Sequence, residues 1–280
     1  MQAFNYHSHT YRCGHADLDM TDEDYVKDYI KMGFKRMAFT DHCPEKNEID
    51  KRNNMRMKYS KRKEYLENIQ ALKEKYAGQI EIQSGYEIEY LPGEEENLKE
   101  LKEETDKLIL GQHFIYDDNK QLIIFGKHDF SDKELLRYAE YIEQAMKLKL
   151  PDIIAHPDFC MLKRKTFGEI EAKVAHLICK AAEKYDVPLE INLNNIFKYT
   201  YYEKGVLNHN PIEEQKKKLQ KVVYPCKDFW KIASEYDIHV LYGIDAHHKG
   251  QVVLFKELVE LANEIIGKDV IEKLNFIDIK

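Results

Sequence analysis

Histidines and carboxylates recur in this chain at one kind of place, the end of a short apolar run. NYHSH carries His7 and His9, MAFTDH Asp41 and His42, IEIQSGYE Glu87, and LILGQH His113. IIAHPD carries His156, LEIN Glu190 and Asn192, and VLYGIDAHH Asp245, His247 and His248. Strand cores take apolar side chains, whereas ionisable ones belong where strands open into loops. Strands that repeatedly deliver ligand-type side chains at their C-terminal ends predict a barrel with a metal site at its mouth. The chemistry of such a site is hydrolysis assisted by several metal ions.

The spacing sharpens that reading. On a strand, residues i and i+2 share a face, so His7 and His9 converge on one point, as do Asp245 and His247. His248 then faces the other way. Glu87 closes a strongly apolar run, where a carboxylate is costly unless paired or metal-bound; its two oxygens can bridge two cations. Glu89, two residues on, competes for that role. His15 and His42 lie in loops just after the first two strands, within reach of the same mouth.

Blander readings exist for each residue. An isolated H-x-H pair is as easily surface or core, and His113 or His156 alone reads more readily as a satisfied core histidine. Recurrence at successive strand ends outweighs them. Cys13 and Cys43 sit beside these histidines, but no matching His/Asn arrangement supports a thiol nucleophile. His128, His176, His209 and His239 are assigned to structure or surface; His176 falls mid-helix and His239 opens a strand.

The elements that must position these groups alternate strand and charged amphipathic helix. Thr21 with Asp24 three positions on marks a helix start. A polar loop at 44–57 precedes a long helix that stops at Gly78, and a Glu-rich segment follows the third strand. A hairpin through Asp117–Asp118–Asn119, a helix from Ser131 and another at about 167–185 come next. The stretch from Leu193 to Pro225 is long for a connection and reads as a lid or binding element. Helices near 226–236 and 250–266 flank the last strand. Seven strand–helix units without a linker predict one domain over residues 1–280, an α/β fold of the distorted (β/α)7 TIM-like barrel type.

Bulk composition agrees. A chain of 280 residues with 43% hydrophobic residues suits one large barrel. The net charge of −7 argues against a protein built to coat nucleic acid. Five widely spaced cysteines without a CxxC pair suit a reducing cytoplasm. The chain enters directly into strand-like AFNYH, leaving no room for a signal peptide. No apolar run approaches the ~20 residues that cross a bilayer, so no membrane partner is expected.

These motifs together resemble the PHP family, the polymerase-and-histidinol-phosphatase superfamily of metal-dependent phosphoesterases, over essentially the whole chain. HSHTYRCGH resembles its opening HxH with a third histidine at His15, TDH its second motif at His42, and GYEIEY its third at Glu87. GQHF supplies His113, AHPD His156, and GIDAH the closing D-x-H at Asp245 and His247. The resemblance implies three divalent metals (zinc, iron or manganese). His7, His9, Glu87 and Asp245 would hold the first; Glu87, His113 and His156 the second; His15, His42 and His247 the third. Length, EIEYLPGEEE, QHF, EIN and the later YP are most similar to the monofunctional histidinol-phosphate phosphatases. Where that resemblance leads one to expect an arginine-bearing stretch after EIN, this chain has NNIFKYTYY, with Lys198 the nearest cation. An ammonium lacks the bidentate fork of a guanidinium.

The expected reaction is hydrolysis of L-histidinol phosphate, a small phosphate monoester, by a hydroxide bridging the two metals that share Glu87. Glu87 and Asp245 are thus expected to be essential to catalysis, and Asp17, His248 or a metal-bound water are the candidate proton donors. Lys163, Arg164 and Lys198 are candidate phosphate or substrate contacts. Another small phosphate ester or nucleotide is the alternative substrate; a nuclease would show a basic groove, and a non-catalytic regulatory module would tolerate missing ligands. A homodimer is compatible with the sequence.

Overall fold

The computed structural model describes residues 2–44, 55–127, 129–203 and 205–277. His128 and most of the polar loop expected at 44–57 lie outside the described residues. The first half runs β1 (Phe4–Asn5), α1 (Asp22–Lys31), β2 (Arg36–His42), α2 (Arg62–Lys75), β3 (Glu81–Ile88), α3 (Glu95–Glu104) and β4 (Lys107–Leu110). A hairpin, β5 (Phe114–Tyr116) and β6 (Leu122–Ile124), precedes α4 (Asp132–Lys147), β7 (Ile153–Ile154), α5 (Glu169–Tyr185) and β8 (Leu189–Asn192). Then come α6 (Asn194–Thr200), a second hairpin of β9 (Tyr202–Glu203) and β10 (Val206–Leu207), α7 (Ile212–Lys216) and α8 (Lys227–Ala233). The chain closes with β11 (His239–Gly243), α9 (Phe255–Ile266), α10 (Lys268–Ile271) and β12 (Asn275–Phe276).

All seven expected strands are present, and they form one curled sheet with an eighth, in the order β1-β2-β3-β4-β7-β8-β11-β12. Its pairings are parallel. The eighth strand, β12, pairs only with the start of β11, through His239↔Asn275 and Val240↔Phe276. Two residues are too short a run for alternation to reveal, so the seven-strand expectation falls one short. At the mouth, the chain after β1 meets the chain after β11 directly. Ser8 bridges Ala246 in parallel, and the His9 N–H donates to the Ala246 carbonyl at 2.9 Å.

Period-two alternation sorts the side chains into two layers. Phe4, Tyr6, Ala38, Ile109, Ile153, Ala155 and Leu241 pack inside the curl, with Ile277 against them. Met37, Phe39, Ile82 and Ile154 face the helices. Capping chemistry sets the helix starts. Thr21 and Asp24 form a reciprocal capping box on α1, and Ser131 and Glu134 another on α4. In the first hairpin, Asp117 Oδ1 accepts from the N–H groups of Asn119 and Gln121.

Two stretches between the strands gain a definite form. The Glu-rich segment after β3 is helix α3, because Leu98 and Leu101 supply a buried edge. The stretch 193–225 is not a bare loop: its first turn, α6, buries Asn194, Asn195, Ile196 and Phe197 while leaving Lys198 exposed. Among the described residues no helix is long and apolar enough to cross a membrane.

Candidate metal centre

His7 and His9 continue the line of β1, both fully buried, with their Nε2 atoms 3.1 Å apart. Asp245 Oδ1 lies 3.4 Å from the first and 3.2 Å from the second. Two imidazole nitrogens and a carboxylate oxygen thus converge on one point. Asp245 is aimed there because its other oxygen accepts from the Asn192 and Asn194 amides at 3.2 and 3.0 Å. The opposite nitrogen of His7 meets Glu190 Oε2 at 2.9 Å.

Glu87 stands at the centre. Its Oε1 lies 2.9 Å from His156 Nε2, and its Oε2 lies 2.8 Å from His42 Nδ1. His9 Nε2 is 3.4 Å away and His113 Nε2 3.8 Å. The carboxylate therefore faces one imidazole set through each oxygen. Glycine at 111 makes the space, since a Cβ there would land on the Glu87 carboxylate. The competition between Glu87 and Glu89 resolves cleanly. Glu89 accepts from the His113 backbone N–H at 2.7 Å, contacts His113 Nδ1 at 2.8 Å and pairs with Arg56 at 2.8 Å. It orients a ligand-type residue and does not join the cluster.

His15, His42 and His247 complete the constellation. The His247 ring stacks 4.0 Å from His9 and lies 4.5 Å from His15, which is 5.2 Å from His42. His247 Nδ1–H donates to the Asp245 carbonyl two residues back at 2.9 Å, leaving Nε2 buried with no partner. Asp245 Oδ1 and His9 Nδ1 are likewise buried without a hydrogen bond. Such orphaned atoms are rare and costly in a protein interior. Three groups of donors, His7–His9–Asp245, His7–Glu87–His156 and His9–His42–His247, each lie within 4.8 Å of one another. Divalent cations fit this donor set: neutral imidazole nitrogens and carboxylate oxygens are what zinc, iron or manganese take.

Electrostatics match. Burial would raise the Glu87 carboxyl, but His42, His7 and His113 outweigh it and hold it well below the usual carboxylate range. Burial together with His247 and His42 drives His9 well below its ordinary value, and burial with His247 and His9 takes His15 down to about 2. These imidazoles are neutral, with lone pairs available. His7 differs. Burial lowers it, yet Glu190, Asp245 and Glu87 more than compensate and its pKa rises. Backbone strain sits in the same place, with His156 at φ +30° and Asp245 at φ +51°. Non-glycine residues hold that region only when their surroundings impose it, and such residues gather at functional sites.

Among the candidate contacts, the structure separates four cases. Asp17 and His248 come together at the mouth, with Asp17 Oδ1 2.9 Å from His248 Nδ1 and the His248 ring stacked 4.1 Å from Tyr202. Lys198 is exposed on α6, and its charge lowers both His15 and His248. Arg164 has partners within the fold: its guanidinium is bound to Glu171, the Phe130 carbonyl (2.9 Å) and Asp132 (3.5 Å), clamping the starts of α4 and α5. Its position just beyond a mouth strand does not reveal that partner. Lys163 is exposed, at φ +69°. His176 bonds the Tyr236 hydroxyl, and His209 and His239 are exposed, as expected of structural or surface residues.

Other participants are not read from sequence. Glu190 stands at a strand end like the rest, but only the structure pairs it with His7. Asn194 and Gln251 carry no local signal. Gln251 Oε1 accepts from the His247 N–H at 2.9 Å, and its amide donates to the Ile244 carbonyl at 2.9 Å. Asp41 faces away from Glu87 and accepts from Thr10 N–H and Oγ1 at 2.7 and 2.6 Å, tying the β1 loop to β2.

A curled parallel sheet with a histidine–carboxylate cluster at the strand C-termini defines a class, and comparison with known families agrees. Residues 5–194 match the PHP domain, more than half of the chain, and the chain belongs to that family. Asp245 and His247 lie beyond the matched residues. The chain is similar to the probable histidinol-phosphatase of Deinococcus radiodurans, 27% identical over 94% of each chain. It is also similar to the histidinol-phosphatase of Bacillus subtilis, 25% identical over 90% of this chain and 96% of that one. Two solved structures share the fold. The putative histidinol phosphatase of Listeria monocytogenes superposes with a TM-score of 0.68 at 23% identity, covering 89% of this chain and 96% of its own. The histidinol phosphate phosphatase of Lactococcus lactis, solved with zinc, L-histidinol and phosphate, gives 0.63 at 16% identity, covering 93% and 94%.

Proposed function

We propose that this chain is a metal-dependent phosphomonoesterase that hydrolyses L-histidinol phosphate to L-histidinol and phosphate, with residues 1–280 acting as one barrel unit. One observation carries the reading: Glu87 presents an oxygen at 2.9 Å to His156 and the other at 2.8 Å to His42, the disposition of a carboxylate that bridges cations. Two relatives called histidinol-phosphatases, similar over nine-tenths of this chain or more, support the substrate.

His7, His9, Glu87 and Asp245 would hold one divalent cation, Glu87, His113 and His156 a second, and His15, His42 and His247 a third. Zinc is the first to test, since the Lactococcus lactis protein was solved with it. Cations held there supply Lewis acidity, making water acidic near neutral pH and neutralising phosphoryl charge. The chain's own residues do the rest. Glu190 and Glu89 fix the rings of His7 and His113 by their second nitrogens. Lys198 sets positive charge beside His15 and His248, where a phosphate dianion would sit. His248 is the proton donor to the leaving oxygen, with Asp17 holding Nδ1 so that Nε2 gives up the proton. Burial lowers His248 in spite of Asp17, so a proton at Nε2 is readily released.

The test is phosphate release from L-histidinol phosphate by protein reconstituted with zinc, manganese or iron, beside a panel of sugar phosphates and nucleotides. Rapid, chelator-sensitive release from L-histidinol phosphate is the expected result. Strong turnover of a different ester with none of this one would discard the substrate.

A further inference from the structure

All five cysteines are free thiols, and one of them stands apart from the rest. Cys43, Cys160 and Cys179 belong to the apolar core, and Cys226 packs against it. Cys13 is fully buried, yet among the described residues it joins neither apolar cluster. Its neighbours are ionisable. With His15 and His247 it forms a group whose donor atoms lie within 4.8 Å of one another, and with His9 and Asp41 a second such group. We propose that Cys13 is a sulfur ligand of the cation at His15 and His247, and that this position is built for a thiophilic ion such as zinc. The inference rests on the assignment of cations to this centre and adds a donor of a different chemical class; it does not depend on which ester is hydrolysed.

Three observations support it. First, the local backbone delivers the sulfur to that point. Thr10 caps a short 3-10 turn, Tyr11–Cys13, its hydroxyl accepting from the Arg12 N–H at 3.2 Å. The Cys13 N–H closes the turn on the Thr10 carbonyl at 3.1 Å, and Thr10 Oγ1 is itself anchored to Asp41 at 2.6 Å. Gly14 then takes φ +81°, a left-handed conformation that glycine adopts without a Cβ penalty, and places His15 beside Cys13.

Second, the two imidazoles are turned alike. His15 Nδ1 lies 3.3 Å from the Cys13 carbonyl and His247 Nδ1 2.9 Å from the Asp245 carbonyl, each two residues back. Each ring therefore keeps Nε2 for another partner. His247 Nε2, in a residue only 3% exposed, has none. A buried lone pair of this kind is what a cation satisfies.

Third, the donor types make a choice. Imidazole alone suits zinc, iron and other ions, whereas a thiolate shifts the preference toward softer ones and away from manganese. Burial, with Asp41 nearby, raises the Cys13 thiol to about 12, but a coordinating thiol is deprotonated outright. Its proton passes to solvent as the Sγ–metal bond forms, with no change of oxidation state.

The experiment loads the whole protein anaerobically with Co(II) and records the sulfur-to-cobalt charge-transfer band in the near ultraviolet, which imidazole and carboxylate ligands do not give. The wild type should show the band. Cys13→Ser should lose it while circular dichroism stays native and elemental analysis still finds cobalt. Cys43→Ala should keep it, although Cys43 follows His42 directly. If Cys13→Ser does not fold, a band that persists in Cys43→Ala, Cys160→Ala, Cys179→Ala and Cys226→Ala belongs to Cys13. With zinc, X-ray absorption should find a sulfur neighbour at ~2.3 Å. Chelator competition should show Cys13→Ser losing zinc affinity by at least the ~10–100-fold that loss of an outer partner costs, with manganese affinity little changed. Cobalt bound without the band, or a band unchanged in Cys13→Ser, would overturn the proposal and leave the metal centre standing. No cobalt bound at all would overturn both. None of these readouts uses turnover, so the phosphatase reading stands or falls separately.

Discussion

The two ends of the curled sheet are made by the same strands and could hardly differ more. Deep inside the curl, Phe4, Ala38, Ile109, Ile153 and Leu241 pack with nothing polar between them. A few residues further along, those strands or their continuations deliver His7, His42, His113, His156 and Asp245, with buried nitrogens and oxygens left without partners and two residues at positive φ. The lower region lowers the free energy of the fold through apolar burial, about 25 cal/mol per Å². The upper region costs free energy in desolvation and strain that cations would offset. Stability and chemistry are thus separated along each strand by only three or four residues, the division expected of barrels.

Substitutions at the two ends should therefore fail in different ways. The largest effect is expected at Glu87. Glu87→Gln keeps the shape and removes the bridging charge, so kcat should fall by ~10³-fold or more, and elemental analysis should find metal lost with it. Full metal content with near-normal turnover would remove the bridging role. Next, His248→Gln should slow alkyl esters by ~10²-fold or more while hardly affecting 4-nitrophenyl phosphate, whose leaving group needs no proton. An equal loss on both esters would show that His248 acts on something other than the leaving oxygen.

Glu190→Gln tests the supporting layer. Weakening the hold on His7 should lower metal affinity ~10–100-fold, read by competition with a chromophoric chelator, and excess metal should restore most of kcat. At the other end, Leu241→Ala should cost about 2–5 kcal/mol in denaturant unfolding and leave the kinetics of the folded protein unchanged. A change in kcat there would show that the ends are not independent.

The smallest effect is expected at Arg164. Burial would raise the Glu171 carboxyl, but the Gly168 and Glu171 N–H groups and the Arg164 guanidinium outweigh it and lower its pKa. Stability from this lowering is present above the unfolded carboxylate pKa and is lost as pH falls through the folded value. Arg164→Gln should remove about 1 kcal/mol at neutral pH, a partly exposed charged hydrogen bond, and flatten the acid limb of the stability profile. KM for the ester should not move; a raised KM would return Arg164 to the substrate.

Much of this is legible in the chain because the signals are local. A strand's period of two places His7 with His9 and Ala38 away from Met37 and Phe39 whatever the rest of the fold does. Capping pairs such as Thr21 with Asp24 act over three residues, and a strand end announces itself by the change from apolar to ionisable. Hence seven of the eight sheet strands, the starts of α1 and α4, and the presence of histidines and carboxylates at strand ends are legible in the chain itself. What the chain alone leaves undecided is partnership across distance. Glu87 and Glu89 are equivalent by type and spacing, and the turn after β3 sends one to the cluster and the other to His113 and Arg56. Asp17 and His248 lie 231 positions apart and meet only because the chain after β1 and the chain after β11 close on each other at the mouth. Arg164 reads as a mouth cation until the starts of α4 and α5 are packed around it. Local sequence sets which groups stand at strand ends, since backbone geometry acts over a few residues. Tertiary packing alone decides which of those groups face one another, since that depends on how the sheet curls.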